Sequence, residues 1–151
     1  MIKLDTTMKR YILSAAVVAA LAAGGWLAMR PDTLDTAEAA TPAQGDPLVS
    51  ISLPGALSGQ AQMGKRAFDA TCATCHGANA TGKMGFGPPL VHKIYEPSHH
   101  GDMAFFAAVQ AGVRAHHWTF GNMPPQEGLT RSDVANIVGY VRELQRANGI
   151  N

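Results

Sequence analysis

Cysteine is scarce in this chain: its 151 residues include two, Cys72 and Cys75. A pair three positions apart cannot frame a domain of this size, so a disulfide scaffold is excluded. With no further cysteine there is no good ligand set for a structural zinc site. Charge is scarce as well, at 15% of residues and a formal net charge of +1. No dense basic face can be built from that, which excludes a nucleic-acid binder. Aromatic residues make up only 7%, and neither a repeat nor an alternating strand pattern is visible.

What is present begins with an uncharged apolar run from Tyr11 to Met29, 19 residues long, preceded by Lys3, Lys9 and Arg10 and closed by Arg30. At about 1.5 Å per residue a helix of this length covers roughly 28 Å, close to the roughly 30 Å hydrocarbon core of a bilayer. The run reads as a single-pass anchor. A cleaved secretory signal is the alternative, with Ala37-Glu38-Ala39 as its small-residue cleavage site. Positive residues ahead of the run put the N-terminus in the cytoplasm and the remainder across the membrane. The expected location is therefore the bacterial inner membrane with the following domain in the periplasm, or the soluble periplasm after cleavage.

Residues 31–55 contain four acidic residues, no Lys or Arg, and Pro31, Pro42, Pro47 and Pro54. This composition predicts a flexible linker between an N-terminal segment, 1–30, and a folded domain, 56–151. The domain reads as all-α. Ala61, Gly64, Phe68 and Thr71 share one helical face. Asp102 is placed to cap a second helix through Phe105, Phe106 and Val109 that ends near Gly112. Thr130 and Asp133 form a capping-box start for a third, where Val134, Ile137, Val138, Val141 and Leu144 recur at helical spacing until Gly149. Gly- and Pro-rich loops lie between, and long loops in a small domain usually wrap something.

Cys72-Ala73-Thr74-Cys75-His76 is the sequence to which haem c is attached. Two thiols at this spacing add across the two haem vinyl groups, and the next residue then sits beneath the iron as an axial imidazole. A thioredoxin-like dithiol would need a βαβ context, which is absent. One covalent haem would also supply apolar contact to a domain short of core, so its removal should unfold the chain.

With these motifs in place, residues 60–149 resemble a class I cytochrome c. Gly64 and Phe68 match the glycine and aromatic of that family's opening helix, and Ile137, Tyr140, Val141 and Leu144 match its closing helix. The resemblance implies that the two helices cross closely at Gly64 with Tyr140 over the contact. It implies that Pro88, in Gly87-Pro88-Pro89-Leu90, accepts the second imidazole N–H of His76 through its carbonyl. It also implies that Met123, in Phe120-Gly121-Asn122-Met123-Pro124-Pro125, is the sixth ligand, a soft thioether that raises the potential. Met84 and Met103 are then packing residues. Trp118 could border the haem edge and donate to a propionate, or simply pack.

Filled axial positions point to single-electron transfer between membrane or periplasmic redox proteins, not to an enzyme. The alternatives are a cytochrome subunit of an oxidoreductase complex, or a haem enzyme or sensor in which Met123 is displaced. Lys65, Arg66, Lys83 and Lys93 could form a modest docking ring. Five histidines beyond His76 remain: His92, His99, His100, His116 and His117. Two readings stand for them. One is a second metal site at His99, His100, His116 and His117, copper among the candidates, or a contact surface for a metalloprotein. The other, favoured because adjacent histidines rarely point the same way, is a set of loop side chains bonding backbone and propionates.

Overall fold

The first helix starts where Ser58 turns its hydroxyl to the Ala61 N–H at 3.2 Å. In the computed structural model, which describes residues 41–151, this helix, α1 (Gly59–Thr71), buries Ala61, Gly64 and Phe68 along one face. A single turn, α2 (Ala73–His76), follows directly. After a long connection come α3 (Asp102–Ala111) and α4 (Arg131–Ala147). Short 3₁₀ turns at Ala78–Ala80 and Lys93–Tyr95 punctuate the loops. The fold is all-α. Among the described residues the only β pairings are the isolated bridges Lys83 to Gly87 and Val113 to Met123.

The core lies where α1 crosses α4. At Gly64 a Cβ would collide with the backbone carbonyl of Asn136, so only glycine lets the two helices approach this closely. Phe68 and Tyr140 meet edge to face, with centroids 5.6 Å apart, and both are fully buried with Val141 beside them. Burying side chains of this kind contributes roughly 1.5–3 kcal/mol each. The Tyr140 hydroxyl donates to Asn79 Oδ1 at 3.0 Å. Burial, with the nearby Asp69 charge, pushes that hydroxyl up to about 12, so it remains a donor at neutral pH.

Helix α4 has the expected capping box. The Thr130 side chain accepts the Asp133 N–H at 3.2 Å and the Asp133 carboxylate accepts the Thr130 N–H at 2.9 Å. Its other end closes through Asn148, with Gly149 at φ +72° and the Ile150 N–H returning to the Gln145 carbonyl.

Three expectations are corrected. Asp102 is not the cap of α3; Gly101 occupies that position and Asp102 is the first helical residue. Its carboxylate instead accepts from Arg142 Nε at 2.8 Å, a charge-assisted bond between two ionised groups. Met103 is not a packing residue, being 60% exposed. Residues 41–55, expected to belong to the linker, are part of one compact unit, Thr41–Asn151. The Leu48 and Val49 N–H groups both donate to the Thr81 carbonyl, the Gly45 N–H donates to the Met84 carbonyl, and the Met84 N–H donates to the Asp46 carbonyl. Asn148 grips Ser52 on both its N–H and its carbonyl, at 2.7 and 2.9 Å. Backbone bonds to the rest of the domain, not a helix or a strand, order this proline-containing segment.

The apolar run at 11–29 and the linker residues 31–40 lie outside the described residues. Among the described residues no helix is long and apolar enough to cross a membrane.

Candidate functional site

The Cys72–His76 motif sits at the α1–α2 junction. Cys72 ends α1, its N–H donating to the Phe68 carbonyl, and its own carbonyl accepts from both Cys75 and His76. The two cysteines are thereby held on one turn and are not joined to each other. Burial, with Cys75 adding to it, pushes the Cys72 thiol up to about 11, so the folded domain suppresses its thiolate at neutral pH.

His76 is built for one orientation. Its Nδ1 lies 2.9 Å from the Pro88 carbonyl oxygen. A carbonyl can only accept, so Nδ1 carries the proton and Nε2 is left as the free lone pair. Burial pulls the imidazole below its usual value, only partly offset by the Pro88 bond, and the neutral, ligating form dominates. Pro88 is itself fixed: at Gly87 a Cβ would lie 2.8 Å from the Cys75 carbonyl oxygen, so glycine lets the segment lie against the cysteine motif. Further along, the Gly82 N–H donates to the His76 carbonyl at 2.7 Å.

Met123 is paired with Val113 through two 2.9 Å backbone bonds. Gly112 (φ +74°), at the end of α3, leaves no room for a Cβ against the Met123 carbonyl. These contacts tie the methionine loop to the end of α3.

Cys72, His76, Pro88, Trp118 and Met123 all line one cavity of about 360 Å³, whose walls are otherwise largely apolar, from Phe68, Leu90, Phe105, Val134, Ile137 and Val138. This falls in the range of roughly 300–1,000 Å³ typical of small-molecule and cofactor sites. Cys75 is exposed and does not line it. Trp118 brings an orphan donor. Its indole nitrogen is buried with no hydrogen-bond partner. Burial pushes the Tyr95 hydroxyl up and Trp118 partly offsets this, but the approach lacks hydrogen-bond geometry. Buried donors without partners are rare, and this one belongs to a side chain that lines the cavity.

An apolar cavity, a neutral imidazole with a free Nε2, a thioether and an unsatisfied indole donor fit a haem with a polar edge. His76 and Met123 are the residues that would hold its iron, and Cys72 and Cys75 those that would bond its periphery. When bound, the haem supplies a one-electron couple.

The expected docking ring is thinner than the sequence implied. Lys65 is committed to Asp69 at 2.5 Å, and Lys83 donates to the Thr74 carbonyl while lying 4.4 Å from the Phe86 ring centroid.

Sequence reasoning missed Arg142 and Gln145, both buried. Arg142 donates to Asp102, to the Tyr95 carbonyl at 2.7 Å, to Gln145 Oε1 at 2.6 Å and to the His100 carbonyl at 2.5 Å. Gln145 Nε2 donates to the carbonyls of Leu90 and Tyr95. The two side chains fasten the 90–100 loop, one wall of the cavity, to α4. A signal existed: Arg142 lies four residues after Val138 and Gln145 four after Val141, on the apolar face.

Comparison with known proteins agrees with this geometry. The cytochrome c family model matches residues 61–145. The chain belongs to the cytochrome c family, whose members transfer electrons through haem c, and its helices and motif are of the class I type. It is also similar to a cbb3-type cytochrome c oxidase subunit CcoP from Rubrivivax gelatinosus, with 37% identity over 87 residues. That match covers 56% of this chain and 26% of the relative, so the chain spans about a quarter of that protein's length.

Proposed function

We propose that this protein is a single-electron carrier of the cell envelope, using one haem c bonded covalently through Cys72 and Cys75, with His76 and Met123 as axial ligands. The observation that carries the reading is the pairing of a Pro88-oriented His76 with Met123 in the walls of one largely apolar cavity. The Pro88 bond fixes the imidazole tautomer and makes the ligand more electron-rich. The thioether favours the ferrous state. Trp118 donates to a propionate, satisfying its orphan N–H. With both axial positions filled the iron has no open site for a substrate, so the protein carries electrons and is not itself an enzyme. The chain is anchored through residues 11–29 with the haem domain in the periplasm, and its partners are a redox donor and a redox acceptor. The relative's name supports a variant of this reading, in which the chain serves as an electron-entry subunit of an oxidase complex.

The visible spectrum of the purified protein tests the proposal. Low-spin features, one haem per chain retained after acid–acetone extraction, and no carbon monoxide response in the ferrous form are expected. Rapid carbon monoxide binding would overturn the carrier reading, and extractable haem would overturn the covalent one.

A further inference from the structure

Five histidines play no part in the haem reading, and the structure does not scatter them. His92 stands apart against Trp118, with ring centroids 5.3 Å apart. The other four gather from two separate loops. The His99 ring lies 4.7 Å from His100 and 5.4 Å from His117, and His100 lies 5.3 Å from His117. His99, His100 and His117 each offer a ring nitrogen, and all three nitrogens lie within 4.8 Å of one another. A metal holding imidazoles at about 2.0–2.1 Å needs ligand nitrogens about 3.3 Å apart in a tetrahedron. His99 and His117 are exposed, so small rotamer changes can close the remaining gap.

His100 is pre-set for this role. Its Nδ1 lies 2.6 Å from the Ile94 carbonyl and donates to it, which leaves Nε2 free. Its backbone carbonyl is held by Arg142. An imidazole oriented by a carbonyl on its second nitrogen is the usual arrangement of a ligating histidine. His116 is not part of this triad; its Nδ1 lies 2.8 Å from the Arg114 carbonyl. Its ring is nonetheless 4.2 Å from that of His117. His100 and His117 also line the cavity, so the cluster lies where the cavity meets solvent.

We propose that His99, His100 and His117 form a binding site for one divalent transition-metal ion of the zinc or copper class, clasping the 99–100 loop to the loop that carries Met123. Three imidazoles with no carboxylate or thiolate among them select this class over calcium or magnesium. With three protein ligands, the fourth position is left for water or a partner's side chain. His117 precedes Met123 by six residues, so the ion restrains the methionine loop against the fixed His100 backbone.

Redox-inert Zn²⁺ is the probe. The tag-free, haem-loaded full chain is stripped with chelator and titrated with zinc chloride by calorimetry. One saturable equivalent per chain is expected, and zinc should raise the thermal unfolding midpoint. H99A and H117A should each weaken binding by more than the roughly 10–100-fold that loss of an orienting partner costs, and should abolish the thermal shift. H92A should leave both unchanged. An unaltered haem spectrum in each variant shows that it is folded, and H99A and H117A test the site independently should one of them fail this check. Absence of saturable binding, binding that survives both variants, or binding lost with His92 instead would overturn the site.

Discussion

Gly64 faces the backbone carbonyl of Asn136 at a distance that no side chain can enter. Both partners are backbone, so neither can move aside, and G64A must push α1 and α4 apart. The shift would break the Phe68–Tyr140 contact and tilt the Cys72–His76 motif that α1 carries. Overpacking of this kind costs typically about 1–3 kcal/mol, and the value here should lie at the upper end. Guanidinium unfolding of the holoprotein, followed by visible absorbance, measures it.

Replacing Met123 by Ala removes the proposed sixth ligand. The potential should fall and the ferrous form should bind carbon monoxide in stoichiometric amount, where the parent binds none. Potentiometric titration and a difference spectrum check both outcomes. If neither changes, Met123 is not the ligand.

Removing Arg142 breaks four hydrogen bonds at once, two of them to loop carbonyls. Loss of a single hydrogen bond to a charged group costs roughly 1.5–3 kcal/mol, so R142A should destabilise the domain by at least about 2 kcal/mol. R142K should recover little, because a single ammonium cannot span the positions of a planar fork. Chemical denaturation of the two variants side by side provides the comparison.

The capping box gives a signed pH dependence. Hydrogen bonds from the Thr130 side chain and backbone hold the Asp133 carboxyl below its usual 3.8. A depressed folded value means that the contribution is fully present above the unfolded value and is lost as pH falls through the folded one. D133N should therefore be less stable than the parent by a constant margin above about pH 5, a margin that closes below about pH 4 as the parent protonates. Urea midpoints across pH 2–7 test this, and a margin that persists at pH 2 would show that the charge is irrelevant.

Starting the chain at residue 41 should leave the domain intact, whereas starting it at residue 56 removes the bonds from Leu48, Val49 and Ser52. Each is worth about 1 kcal/mol net, so the shorter chain should unfold at lower temperature. Thermal melts of the two truncations decide whether residues 41–55 are spacer or structure.

Features that act locally were the legible ones. The five-residue motif, the Thr130–Asp133 box and the glycine–aromatic spacing of α1 are each written within one turn or two of helix. Residues 41–55 were not legible, because their order comes from backbone bonds to Thr81 and Met84 that leave no periodicity. Asp102 looked like a cap because its competing partner, Arg142, lies 40 residues away. The histidine cluster was legible only as the less favoured of two readings: it needs two loops to meet, and the doublets alone argued against convergence.

Loops are ordinarily the first parts of a domain to open, but the 90–100 segment is bolted at Tyr95 and His100 to Arg142, a side chain rooted in the buried face of α4. It therefore cannot swing free without unseating the closing helix. In hydrogen exchange this loop should open together with α4, as part of the slowest unit rather than the fastest. One wall of the cofactor cavity would then be as durable as the core itself.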